Sequence, residues 1–171
     1  MNRDHFVELY DYTDWANRRV WNCVMQLSQE DFEKHLTFSI GAIHIQCAHT
    51  MGVEYWWLNF LRTGELKFIT DEELEQYKDR DLLRKRWDEV TETNKAYVAS
   101  LTDAELQRLV KPSFWDEHEP AISVAQALTQ VANHSTDHRA QIMAMLHVLG
   151  GEGVGQDFLE YLHRFASANA E

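Results

Sequence analysis

The stretch SVAQALTQVANHSTDHRAQIMAMLHVLGG, residues 123–151, decides how this chain is read. Ser123 with Gln126 three residues on is a capped helix start, and Gly150-Gly151 is a helix stop. Between them Ala127, Val131, Ile142, Met145 and Leu149 recur at helical spacing. His134 and His138 fill the gap in that stripe, so both imidazoles continue the core-facing side. At about 100° per residue, positions i and i+4 share a helix face, with Cβ atoms roughly 6 Å apart. Two imidazoles so placed can bind one metal ion. They can also be core histidines satisfied by neighbouring carbonyls.

Three further long helices precede this one. The first runs from about Arg3 to Leu27, with Phe6, Leu9, Tyr10, Trp15, Val20, Cys23, Val24 and Leu27 as an imperfect stripe. Ser28 caps a short acidic helix over 29–34. The second long helix starts near Ser39 and ends before Gly64, its stripe being Ala42, Ile45, His49, Gly52, Val53, Trp56 and Phe60. Thr70 and Glu73 form a capping box. The third long helix covers Asp81 to Leu101, with Leu82, Leu83, Trp87, Val90, Tyr97 and Leu101 apolar. A second box, Thr102 with Glu105, opens another short helix. Residues 110–120 hold both prolines and Phe114-Trp115, and a short extended excursion is expected there. Asp157 caps a tail helix through Phe165.

Four amphipathic helices of about 21–26 residues define an all-α protein, a four-helix bundle with short extra helices in its connections. The longer connections allow a topology other than up-down-up-down. The chain of 171 residues is expected to be one domain over 1–171. Only 7 Gly and 2 Pro suit long uninterrupted helices.

A formal charge of −12 and the lack of a Lys/Arg cluster argue against nucleic acid and anionic membranes as partners. The N-terminus has no apolar signal core, and no apolar run approaches the ~20 residues a membrane helix needs. A cytoplasmic protein is expected. Cys23 and Cys47 lack CxxC spacing and read as small buried hydrophobes.

His49 continues the second helix's stripe as His134 and His138 continue the fourth's. Three imidazoles therefore point toward one bundle interior. Each buried ring needs partners for both nitrogens, and a metal takes one nitrogen from each. The other six histidines stand apart: His147 and His44 lie on other faces, and His5, His35, His118 and His163 sit near termini or in short segments. His134 to His138 has a zincin's spacing, but Ser135 stands where the general-base Glu would be. A di-iron bundle needs two Glu-x-x-His motifs, and only Glu160 to His163 fits. A site here is thus mononuclear and all-nitrogen, and would leave Zn²⁺ or Ni²⁺ its full charge and an open position.

The chain resembles the DinB-like (DinB/YfiT) metalloprotein superfamily over nearly its whole length. Asp14-Trp15-Ala16-Asn17-Arg18-Arg19 is similar to the family's early Trp-Ala-Asn signature. Residues 48–58, with His49, Glu54 and Trp57-Leu58, resemble its second helix. Residues 134–142 resemble its His-x-x-x-His-Arg-Gly-Gln-Ile segment, with Ala140 where glycine is frequent. Asp157-Phe158-Leu159-Glu160-Tyr161 resembles its closing motif. The resemblance implies an up-down-down-up bundle, His49, His134 and His138 as the metal-ligand triad, and a homodimer. Trp56-Trp57 and Phe114-Trp115 offer aromatic surface that a dimer, or simply the core, can cover.

Some relatives attach low-molecular-weight thiols to electrophiles. The leading expectation is accordingly a metal-dependent thiol (S-)transferase acting on a small-molecule substrate. A cationic open site lowers a thiol's pKa, and no protein base is strictly needed. The alternatives are a metal-dependent hydrolase and a non-catalytic metal-binding stress-response protein. Glu54 and Asp137 lie near the histidines in sequence, but their helical directions do not aim them at a metal.

Overall fold

The computed structural model describes residues 1–168. Its long helices are α1 (Arg3–Val24), α3 (Ile43–Thr63), α5 (Arg80–Ser100) and α6 (Val124–Val148). Short helices α2 (Gln29–Glu33) and α4 (Asp71–Gln76) lie in the connections, a 3₁₀ turn spans Glu105–Gln107, and α7 (Phe158–Ala168) follows the bundle. The last residues of the expected domain, 169–171, lie outside the described part.

Side-chain chemistry sets the boundaries. Ser123 accepts from the Gln126 N–H while Gln126 accepts from the Ser123 N–H, and Thr70 and Glu73 make the same reciprocal pair. The Thr102–Glu105 box also forms, but the turn it opens is 3₁₀. Gly64 ends α3 at φ 78° and Gly150 follows α6 at φ 80°, left-handed values that favour glycine. The extended excursion is a two-residue antiparallel pair, β1 (Leu109–Val110) with β2 (Ile122–Ser123).

Cross-helix contacts give the topology. Tyr10 meets Leu128 and Asn17 meets Arg139, so α1 and α6 run parallel. Gln46 meets Gln141 and Glu54 meets Ser135, so α3 opposes α6. Lys95 pairs with Asp11 and Arg18 with Asp88, so α5 opposes α1. The order is up-down-down-up, with α1 diagonal to α3 and α5 diagonal to α6.

Most of the core falls into two apolar halves, with a small third cluster of Tyr12, Ala16 and Tyr161 where α7 meets α1. One apolar half holds Trp21, Phe32, Met51, Leu83, Trp87 and Ile142, and the other Phe6, Leu58, Val98, Leu106, Leu128 and Val131. Between them lies a buried polar waist: Thr13 and Asn17 from α1, Glu54 from α3, Thr91 and Asn94 from α5, Ser135 and Arg139 from α6.

Two expectations change. The second long helix begins at Ile43 rather than near Ser39; Ser39 instead sits at φ 52° in the preceding loop. The core face of α3 is not the expected stripe. Ile43, Cys47, Met51 and Leu58 are buried, whereas Ile45, Val53, Trp56 and Phe60 are half-buried and His49 is exposed. This helix is apolar nearly all round, so counting hydrophobes does not fix which side turns inward.

Candidate metal centre

The α3–α6 seam, at the level of the waist, brings His49, His134 and His138 together. One nitrogen from each ring lies within 4.8 Å of the others. The Nε2 atoms of His49 and His134 are 3.1 Å apart. Ring centroids are 5.0 Å apart for His49–His134, 4.6 Å for His49–His138 and 4.1 Å for His134–His138. The cluster opens outward, because His49 is exposed, His134 half-buried and His138 only 9% exposed. It is thus a rim site rather than the interior site that the stripes suggested.

Burial, the largest cause for each ring, holds all three imidazoles below the usual histidine pKa. His134 is pushed down to about 4, with His138 and His49 adding to the effect. The rings are therefore neutral near pH 7 and offer lone pairs, as metal ligation requires. For ring nitrogens about 2.0–2.1 Å from a tetrahedral ion, the ligand–ligand edge is about 3.3 Å, close to the His49–His134 separation. His134 Nδ1 is buried without a hydrogen-bond partner. This donor set fits a divalent ion.

Polar groups back His138. Gln46, fully buried, places its amide against His138 Nδ1 and donates to Gln141 Oε1 at 2.9 Å. Ser39 donates to Gln46 Oε1 at 3.1 Å and also bonds Gln141, whose own amide donates to Asp137 at 2.9 Å. Sequence reasoning missed Gln46 and Ser39. The available signal was a long polar residue three positions before His49, one turn away on the same helix.

Glu54, in the waist, is 5% exposed. Its carboxylate accepts from Asn17 Nδ2 at 3.1 Å, Ser135 Oγ at 2.6 Å and Trp87 Nε1 at 3.0 Å. Burial pushes its pKa up, while those three donors and Arg139 pull it down, with a net upward direction. Arg139 is fully buried and donates to Asn17 Oδ1 at 3.1 Å, Thr136 Oγ1 at 2.9 Å and Gln156 Oε1 at 2.7 Å.

The remaining histidines behave differently. His44 is buried, with Nδ1 3.2 Å from the Phe32 carbonyl, as a satisfied core histidine would be. His5, His35, His118, His147 and His163 do not join the cluster. Trp56 lies seven residues from His49, about two turns along the same face of α3. It meets Phe68 and Phe114 at centroid distances of 5.5 and 5.7 Å, and both phenyl rings are more than half exposed.

Together these features define a helical bundle with an open three-histidine cluster on one seam. The chain belongs to the DinB family, whose profile matches residues 1–168. It is 24% identical over 164 residues to Protein DinB of Bacillus subtilis (strain 168), covering 93% of this chain and 94% of that one. Its fold is similar to the crystal structure of a point mutant of a mycothiol-dependent maleylpyruvate isomerase, with a TM-score of 0.54. That match covers 80% of this chain and 60% of the isomerase at 10% identity, and the likeness is one of fold. Among the described residues no helix is long and apolar enough to cross a membrane.

Proposed function

We propose that His49, His134 and His138 hold one divalent metal ion, Zn²⁺ or Ni²⁺, and that the protein is a metal-dependent thiol S-transferase. The observation that carries this reading is the meeting of three neutral ring nitrogens within 4.8 Å on an open rim. An ion held there would supply a concentrated positive charge that lowers the pKa of a low-molecular-weight thiol brought to it. The chain's own residues do the rest. Gln46 orients His138 from behind, the exposed edge at His49 leaves a side open to solvent and substrate, and Trp56, Phe68 and Phe114 offer an apolar bed for the electrophilic partner. The fold likeness to a mycothiol-dependent enzyme supports a thiol as cosubstrate.

A hydrolase would use the same ion but needs a proton shuttle. Glu54 is engaged by donors inside the waist, and Asp137 is held by Gln141. The transferase reading is preferred because it requires no such group. It includes a cytoplasmic homodimer with one domain per chain; light scattering on the eluting protein checks the dimer.

Two measurements test the reading. Protein purified without chelator should contain close to one equivalent of metal; less than a tenth, not restored by adding Zn²⁺ or Ni²⁺, would overturn the site. A panel of small thiols should give saturable binding that chelation abolishes. Ester or amide turnover needing metal but no thiol would favour the hydrolase. Neither thiol binding nor turnover across the panel would favour a non-catalytic metal-binding protein.

A further inference from the structure

We infer that Glu54 is a positioning residue: its buried carboxylate clamps the four long helices together, and its link to Ser135 sets the spacing of His49 and His134. The inference rests on the three-histidine metal reading and adds residues that the reading does not use.

Glu54 touches every long helix of the bundle. On its own helix, α3, it lies five residues beyond His49. It accepts from Asn17 on α1, Trp87 on α5 and Ser135 on α6, and its backbone carbonyl accepts from Asn94 on α5 at 3.3 Å. Asn17 carries the connection onward, because its Oδ1 accepts from the buried Arg139 of α6. A carboxylate is suited to this place, since all three side-chain partners are donors and the group has only acceptor sites when ionised. A buried polar network of this kind holds one arrangement of its helices, because any slip leaves a donor unpaired in an apolar surrounding.

The leg to Ser135 matters most for the site. Ser135 is fully buried, follows His134 directly in the chain and donates to Glu54 Oε1 at 2.6 Å. It stands where a zincin would carry its catalytic glutamate, and here it faces away from the imidazoles into the waist. The Glu54–Ser135 bond and the His49–His134 contact are two rungs between the same two helices. Fixing the first fixes the height of α3 against α6, and with it the second. The Trp87 leg ties α3 to α5, which contributes no histidine to the cluster.

This division of labour separates positioning from mere stability. Zn²⁺ affinity by chelator competition, the Co²⁺ visible spectrum and the urea midpoint should be measured for wild type, Ser135→Ala, Trp87→Phe, Glu54→Leu and Glu54→Gln. Ser135→Ala and Glu54→Leu are expected to weaken Zn²⁺ binding by about 10-fold or more, the usual cost of losing an outer-shell partner, and to shift the Co²⁺ bands. Glu54→Gln keeps an acceptor oxygen for Ser135 and should restore most of the affinity. Trp87→Phe should lower the urea midpoint yet leave Zn²⁺ affinity within about 3-fold of wild type. The clamp is overturned if Trp87→Phe and Ser135→Ala weaken Zn²⁺ equally, or if Ser135→Ala leaves affinity and spectrum unchanged. Wild type that takes up no metal would refute the metal reading instead. In that case a crystal structure of metal-free Ser135→Ala decides the clamp: an unchanged His49–His134 separation overturns it, and a widened one supports it.

Discussion

The Nε2 atoms of His49 and His134 face each other at 3.1 Å across the α3–α6 seam. Two neutral imidazoles can share that space only if one donates a proton to the other; with a cation between them, both offer lone pairs. His49 supplies the exposed side of the cluster and is its one imidazole from α3. His49→Ala should therefore weaken Zn²⁺ binding by more than the ~10–100-fold that an outer partner typically costs. His147, exposed in the last turn of α6, should be replaceable by alanine without effect. Chelator competition on the two variants checks this; equal losses would mean that the ligand set is wrong.

The same rings give a pH dependence whose sign is fixed. His134 lies near 4 in the folded metal-free chain, against about 6.5 for an unfolded histidine, and His49 and His138 are displaced in the same direction. Between those values the unfolded state binds more protons, so stability is present above about 6.5 and is lost as the pH falls toward 4. Urea midpoints of metal-free protein should decline from pH 7.5 to pH 5, and His134→Asn should flatten the decline. Burial also lowers His44, so part of the slope should survive in that variant. A slope identical in wild type and variant would contradict the placement of His134.

How much of this was legible in the sequence differs from helix to helix. In α6 one apolar stripe alternates with polar residues, and spacing alone places His138 on the buried side, whereas His134 lies half-buried at its edge, where Ser135 and Arg139 take the core positions. In α3 apolar residues occur on nearly every face, and the stripe through Ile45, Val53 and Trp56 proved to be a half-buried flank. His49 nevertheless lies beside His134 and His138 in space, because that flank borders the α3–α6 seam. Hydrophobic periodicity does not register the polar waist, whose members are all hydrophilic. Its own signal is polar residues three or four apart: Thr13 and Asn17 on α1, Thr91 and Asn94 on α5, Ser135 and Arg139 on α6, all buried. A column of that kind reads as solvated surface until the partner helices are known.

Arg139 makes the waist vulnerable. Its guanidinium is fully buried, donates to three side chains and lies 5.5 Å over the Tyr12 ring. Arg139→Met keeps much of the volume but removes the positive charge that faces Glu54 through Asn17. The change strands the buried Asn17 acceptor and withdraws a compensating charge from Glu54, and each buried group left unsatisfied costs about 1–3 kcal/mol. Arg139→Lys should recover only part of this, since one ammonium cannot reproduce a planar fork with three partners. Urea unfolding measures both; a loss below about 1 kcal/mol for Arg139→Met, no more than an ordinary surface change, would show that the charge pairing is unimportant.

Gln46 offers the most direct test of how His138 is oriented. Its amide packs on His138 Nδ1, is anchored by Ser39 and Gln141, and has no exposed surface. A histidine that gives Nε2 to a metal carries its proton on Nδ1 and needs an acceptor there. The amide oxygen meets that need once the amide turns about its terminal bond. Gln46→Leu removes every acceptor and should weaken Zn²⁺ about 10–100-fold. Gln46→Glu supplies a carboxylate to the same nitrogen, which makes the ring a better ligand, and its affinity should equal or exceed that of wild type. A Gln46→Glu variant as weak as Gln46→Leu would show that the contact packs the ring without polarising it.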